Sequence, residues 1–215
     1  MPILLAIAIL TPLRSSIADW NDVPTGSMRP TILEGDRIFV NKLAYGLRLP
    51  FTKVWITRWG QPLRGDIVTL ASPQDGRQLV KRIIAVEGDR VSMKGNKLTI
   101  NGNEAPYTTV KSFIPQPLPD GRTGDGMIVR ESLPGHSHSI ALTRNVTSMN
   151  SFEEIVVPPG FCLVLGDNRD LSHDSRLFGL VGLNAVYGRS LAVALSIDPD
   201  NFYLPRMDRW FLPLK

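Results

Sequence analysis

The chain has 215 residues, 43% hydrophobic and 20% charged, enough for one sizeable core or a core with an insert. Its 24 basic and 20 acidic residues leave a net charge of +4, dispersed without a dense run. That pattern argues against a nucleic-acid partner and leaves only a mild attraction to anionic lipid. A single cysteine, Cys162, excludes an intrachain disulfide and a cysteine-built zinc site.

Residues 3–10 are apolar and the run is interrupted at Thr11-Pro12. A membrane span needs about 20 apolar residues. Segment 1–20 therefore reads as a truncated membrane anchor, an interfacial segment or the tail of a span. It lacks the basic leader of a cleavable signal peptide. Strands are expected at 36–42, 66–70, 78–86, 90–93, 97–100, 154–157, 161–165 and 190–197, with Gly95-Asn96 as a hairpin turn. Cys162 lies inside one of these apolar runs and reads as a buried strand residue. Helical periodicity is weak, with a single turn expected at 181–186.

Two segments differ in texture. Segment 43–63 interleaves Tyr45, Phe51, Trp55 and Trp59 with Arg48, Lys53 and Arg58. That mixture suits a membrane interface, and it equally suits a long loop whose aromatics pack on the core. Segment 101–150 carries Pro106, Pro115, Pro117, Pro119 and Pro134 among several glycines. It reads as an inserted, loop-rich β cap. The expected fold is mostly β: an antiparallel β-sheet core made of 21–100 and 151–215, with 101–150 as the cap.

Three stretches carry chemistry. In Val23-Pro24-Thr25-Gly26-Ser27-Met28-Arg29-Pro30-Thr31, Gly26 permits a bend that exposes Ser27, and the prolines stiffen both sides. Alone it is an ordinary turn. A serine needs a base to become a nucleophile. Of the three histidines, His136 and His138 lie in the insert, and His173 stands next to Ser172 and Asp174, where neighbours on an extended chain face opposite ways. None is expected to be that base.

Lys81, in the apolar strand Leu79-Val80-Lys81-Arg82-Ile83, is a base if burial keeps its amine neutral, and the positive field of Arg82 beside it favours the neutral form. Alternation places Leu79, Lys81 and Ile83 on one face and Val80, Arg82 and Ile84 on the other. Thr25 offers a hydroxyl to an oxyanion, with the Ser27 N–H as second donor. The third stretch, Gly166-Asp167-Asn168-Arg169-Asp170-Leu171-Ser172-His173-Asp174-Ser175-Arg176, reads as an ion-pair network bracing a site, with Ser172 able to hydrogen-bond a neutral amine. Its arginines and missing distal glutamate argue against a calcium loop.

Together the three stretches resemble the bacterial type I signal peptidases, membrane-bound Ser/Lys endopeptidases, over about 21–197. The resemblance implies Ser27 as nucleophile, Lys81 as general base and Thr25 as side-chain oxyanion donor. It implies support from Ser172, Asp174, Arg176, Asp167 and Arg82. It also implies shallow apolar pockets selecting small residues before the cut, lined by Val23, Pro24, Met28, Ile32, Val68, Leu79 and Val80. Asn21 replaces a larger apolar residue common in the family. The expected partners are preprotein signal peptides and membrane lipid, with no nucleic acid. No metal or cofactor is expected. The expected location is the cytoplasmic membrane, with the catalytic part on its outer face. Two alternatives stay open: a pilin-maturation Ser/Lys peptidase with one dedicated substrate, and a catalytically silent signal-peptide-binding module.

Overall fold

The computed structural model describes residues 11, 15–52, 54–118 and 120–214. The apolar run at 3–10 lies outside the described residues. Among the described residues seventeen strands follow one another: β1 (Ala18–Asp22), β2 (Asp36–Asn41), β3 (Gly46–Arg48), β4 (Trp55–Arg58), β5 (Ile67–Ala71), β6 (Gln78–Val86), β7 (Arg90–Lys94), β8 (Lys97–Ile100), β9 (Asn103–Glu104), β10 (Tyr107–Pro117), β11 (Thr123–Leu133), β12 (His136–Thr143), β13 (Phe152–Val156), β14 (Phe161–Leu165), β15 (Val181–Gly182), β16 (Val186–Asp198) and β17 (Leu204–Pro205). One short helix, α1 (Ser175–Phe178), follows β14. The fold is mostly antiparallel β, as expected.

The main sheet runs β1-β2-β16-β5-β6-β14-β15, with β17 added to β16. Every neighbouring pair is antiparallel, so the four steps from β1 to β6 return the same strand direction. Bulges interrupt β16 at Val186/Gly188, Ser190/Ala192 and Val193/Leu195. Bulges bend a strand and sharpen its twist. The sheet curls enough for β1 and β6, four places apart, to line one groove.

A second sheet, β13-β7-β8-β9, is built on the hairpin at Gly95-Asn96. Both turn residues have positive φ, 56° and 64°, which a two-residue turn matching strand twist requires. Its apolar face, with Val91, Met93, Leu98 and Ile100, packs on Ile84, Leu163 and Leu165. Val68, Leu70, Ile83, Cys162 and Val164 form a second cluster, and Val23, Met28, Ile32, Ile38, Val40 and Ile67 a third beneath the serine bend. Burial pushes the Cys162 thiol up to about 12, so it is inert packing.

The proline-rich segment is more regular than expected. β10, β11 and β12 form a three-stranded antiparallel sheet. Pro115 and Pro117 are tolerated because β10 is an edge strand, where a missing N–H costs no ladder bond. Segment 181–186 splits between β15 and a 3-10 turn at Leu183–Ala185. Segment 43–63 holds a small hairpin, β3–β4. Among the described residues no helix is long and apolar enough to cross a membrane.

Candidate active site

Ser27 sits in a 3-10 turn, Gly26–Met28, between the end of β1 and β2. The turn is held from beneath by Met28, which is buried in the third cluster. Asn168 clamps it from the side: its backbone N–H donates to the Ser27 carbonyl at 3.1 Å, and its Nδ2 to the Gly26 carbonyl at 3.0 Å. Gly26 is needed for space rather than for an unusual φ. A Cβ there would lie 2.5 Å from Glu34 Oε1 and 2.9 Å from Arg29 Nε, the two side chains that pair across the bend at 2.6 Å.

Lys81 lies in β6, opposite Val68 of β5. Its Nζ is 2.7 Å from Ser27 Oγ and donates at 3.1 Å to the Val80 carbonyl. The side chain is buried among apolar neighbours, at 2% exposure. Burial pulls its pKa down from 10.5 to about 8, against the raising fields of Asp174 and Asp167. The cation that adds to burial is Arg176. The expectation that Arg82 plays this part is corrected, because alternation turns Arg82 to the other face of β6. There it is bound bidentately to Asp167, at 2.8 Å for both contacts.

The charged stretch after β14 resolves into separate buried pairs. Arg82–Asp167 is the first; Thr31 Oγ1 also donates to Asp167 at 2.5 Å, tying the serine bend to it. Arg176–Asp174 is the second, at 2.8 and 2.7 Å, with Asp174 accepting the Gly166 N–H at 3.0 Å. Burial alone would raise Asp167 and Asp174; their arginines and hydrogen bonds outweigh it and hold both below the ordinary carboxylate range. Gly166 leaves no room for a side chain. An added Cβ would stand 2.4 Å from the Ser27 carbonyl and 2.2 Å from Ser172 Oγ. Among the described residues Ser172 Oγ makes no hydrogen bond to Lys81; it lies toward Asp174, whose carboxyl it helps to hold low.

A third pair, Arg169–Glu131, joins this loop to the inserted sheet and was not singled out from sequence. Tyr107 and His138 stand directly opposite Glu131 on either side of β11. The Tyr107 hydroxyl donates to Glu131 at 2.6 Å. His138 Nε2 is 3.3 Å from Glu131 and 3.8 Å from Asp167. His136, two residues earlier, stacks on His138 at 5.4 Å, with its Nε2 3.0 Å from Arg82 Nη1. Burial and the adjacent Arg82 lower His136 to about 4. The two histidines of the insert, not expected to be the base, thus back the support network. His173 is exposed beside Phe178.

A groove of about 570 Å³ opens at the Ser27–Lys81 contact. Val23, Pro24, Thr25, Met28, Leu79 and Val80 line it. Ile32 and Val68, expected to line it as well, are fully buried beneath it. Asn21 also lines it, where a larger residue would fill space. β14 pairs with β6 only from Arg82 to Val86, so residues 78–81 have one unpaired edge. Among the described residues β1 pairs only with β2. Two open edges therefore face one groove. Among the described residues no cluster of three or more His, Cys, Asp or Glu is placed to hold a metal ion.

A serine hydroxyl bonded to a buried amine of lowered pKa, beside open strand edges, defines a serine endopeptidase of the Ser/Lys type. The family described as signal peptidase, peptidase S26, matches residues 1–195, and the chain belongs to it. Signal peptidase I of Pseudomonas aeruginosa is 31% identical over 221 aligned residues, covering 97% of this chain and 75% of that protein. The Pseudomonas fluorescens protein of the same name is 32% identical with the same coverage. A crystal structure of a signal peptidase I from Enterococcus faecalis V583 is 27% identical, covers 60% of this chain and 96% of that one, and has a TM-score of 0.39.

Proposed function

We propose that the chain cuts N-terminal signal peptides from exported preproteins, with Ser27 as nucleophile and Lys81 as general base. The 2.7 Å contact between them carries the reading. Neutral Lys81 takes the Ser27 proton as Oγ attacks the scissile carbonyl. The resulting ammonium gives that proton to the leaving amine as the C–N bond breaks. A water then adds to the acyl-serine ester as Lys81 takes its proton; the acyl C–O bond breaks, Lys81 returns the proton to Ser27 Oγ, and the new carboxyl end departs. Thr25, exposed at the groove with no hydrogen bond of its own among the described residues, donates to the oxyanion together with the Ser27 N–H.

The substrate adds as an extended strand to the open edges of β1 and β6. Both strands run toward the dyad, so a peptide with its earlier residues along Val23–Pro24 and Leu79–Val80 runs parallel to them. Side chains one and three before the cut then point into the same apolar wall, where little depth favours small residues. Arg82–Asp167 and Arg176–Asp174 keep the loop of Asn168 against the serine bend, and Ser172 stands by to receive the lysine as it moves. Exposed Phe51, Ile56 and Trp59 on the β3–β4 segment meet the outer surface of the cytoplasmic membrane.

The dedicated-substrate and silent-module alternatives are not favoured by relatives named signal peptidase I. The test is a preprotein with an Ala-x-Ala site, offered to the chain and to Ser27→Ala. Cleavage after the second alanine by the unaltered chain alone is expected. Equal cleavage by Ser27→Ala overturns the assignment.

A further inference from the structure

The groove does not end at Asn21 and Gln78. Both residues also line a second cavity of about 280 Å³ that lies beyond them, away from the dyad. Its character differs from the apolar groove. Ser16, Asn21, Lys42, Arg48, Gln78 and Tyr187 are among its walls. Lys42 is paired with Asp19, also in the wall, at 3.0 Å. Arg48 is 8% exposed, and among the described residues no carboxylate pairs with it.

Arg48 is nonetheless held firmly. Its Nη2 donates to the Asn184 carbonyl at 2.9 Å and the Val186 carbonyl at 2.5 Å. Its guanidinium lies 4.1 Å from the centroid of the Trp55 ring and 5.4 Å from that of Tyr187. Among the described residues the Nε of Arg48 and the Oγ of Ser16 are buried without hydrogen-bond partners. Among the described wall residues, Lys42 and Arg48 against Asp19 give the cavity an excess positive charge. A fixed, buried cation without a counter-ion is costly for a protein to keep unless something else supplies the charge.

We infer that this cavity is an upstream subsite, resting on the peptidase reading above, that takes an acidic side chain of the preprotein about five residues before the cut. The distance fits. Gln78 is three residues from Lys81 on β6, about 10 Å at strand spacing. A peptide lying parallel to β6 therefore passes Gln78 with its fourth residue before the cut, and the next ones reach the cavity. Carboxylates and guanidinium groups form the stronger class of hydrogen bonds. The cavity thus selects polarity and charge where the groove selects small apolar groups.

Peptides with one Ala-x-Ala site test it, differing only in Glu, Gln, Leu or Lys at the fifth position before the cut. A control set carries the same residues five positions after it. Cleavage is measured with the unaltered chain, and equilibrium binding with Ser27→Ala. The upstream glutamate peptide is expected to bind about tenfold tighter than the leucine peptide, with lysine weakest, and to lower KM with little change in kcat. Arg48→Met is expected to erase the preference; because Arg48 also braces the chain, the peptide series on unaltered Arg48 decides alone if that variant does not fold. Equal binding by all four upstream peptides, or a preference confined to the downstream set, overturns the subsite. Failure to cleave any peptide overturns the peptidase reading instead, while the binding series still decides whether the cavity recognises the acidic residue.

Discussion

Arg169 and Glu131 form a fully buried bidentate ion pair, with Arg169 Nη1 at 2.7 Å from Oε1 and Nη2 at 2.5 Å from Oε2. One partner belongs to the loop whose next-door Asn168 holds the serine bend, and the other to the middle strand of the inserted sheet. The insert is therefore wired to the site: Ala141 of β12 donates its N–H to the Asp167 carbonyl at 2.8 Å, and Thr143 donates its own to Asp170 at 2.9 Å.

Removing one partner of a buried pair strands the other's charge, at a cost of about 3–5 kcal/mol. Glu131→Ala is expected to lower stability by that amount in urea unfolding, and to reduce cleavage further than a surface substitution such as Glu153→Ala. An unchanged midpoint would show that the pair contributes no net stability. The sign with pH follows. Burial alone would raise Glu131, but Arg169 and His138 hold it far below the ordinary carboxylate range. Its contribution is present above the unfolded value near 4 and is lost as pH falls toward the folded one. His136, lowered to about 4, works in the same direction from pH 6.5 downward.

Lys81 makes the fold less stable than an apolar side chain in its place. Its pKa falls from 10.5 to about 8 on folding, so keeping the amine charged at pH 7 costs about 3 kcal/mol. Lys81→Met is expected to be more stable than the unaltered chain at pH 7 by up to that amount. Between pH 8 and 10.5 the unfolded chain holds the proton that the folded chain has lost, so the unaltered chain gains stability with pH. Chemical denaturation at pH 7 and pH 10 checks both statements. A Lys81→Met protein less stable at pH 7 contradicts them.

Gly166 is a point where the charged loop packs closely against the Ser27 carbonyl. A methyl group there must push the serine bend or Ser172 aside. Misplacement of about 1 Å costs on the order of 100-fold in rate. Gly166→Ala is expected to lose at least that much cleavage while its circular dichroism spectrum stays that of the unaltered chain. Activity within tenfold of the original would show that the loop can yield without moving Ser27.

Trp59 is exposed, with its ring nitrogen bonded to the Leu43 carbonyl at 2.9 Å. Trp55, which reads from sequence as an equal partner at the interface, is half-buried with Arg48 and Arg58 at 4.1 and 4.5 Å from its ring centroid. Anionic vesicles are therefore expected to blue-shift the fluorescence of the unaltered chain, and the shift should vanish in Trp59→Phe. A shift that survives this substitution points to another tryptophan, and no shift at all contradicts lipid contact by this segment.

Strands with uninterrupted apolar or alternating runs were legible in the sequence: β6, β8 and β14 fall where their residues place them. The Ser27–Lys81 contact was legible only from the three stretches taken together, since the serine bend alone reads as an ordinary turn and a lysine in an apolar strand alone is a weak signal. The sheet of β10, β11 and β12 was hidden by its prolines and glycines, which signal loops unless the strand is known to be an edge. With it went the row Tyr107–Glu131–His138, since cross-strand neighbours emerge only once register is known. The spacing of His136 and His138, two apart and so on one strand face, was the available clue. Ile32 and Val68 lie beneath the groove rather than in it, a difference of depth that an apolar pattern does not encode.

The most direct test of the Ser27–Lys81 account is the pH dependence of preprotein cleavage, measured as kcat/KM from pH 6 to 10. Cleavage is expected to rise and reach half its plateau near pH 8, where Lys81 loses its proton, with no measurable turnover by Lys81→Met at any pH. A rate already level from pH 6, or turnover by Lys81→Met, contradicts Lys81 as the base.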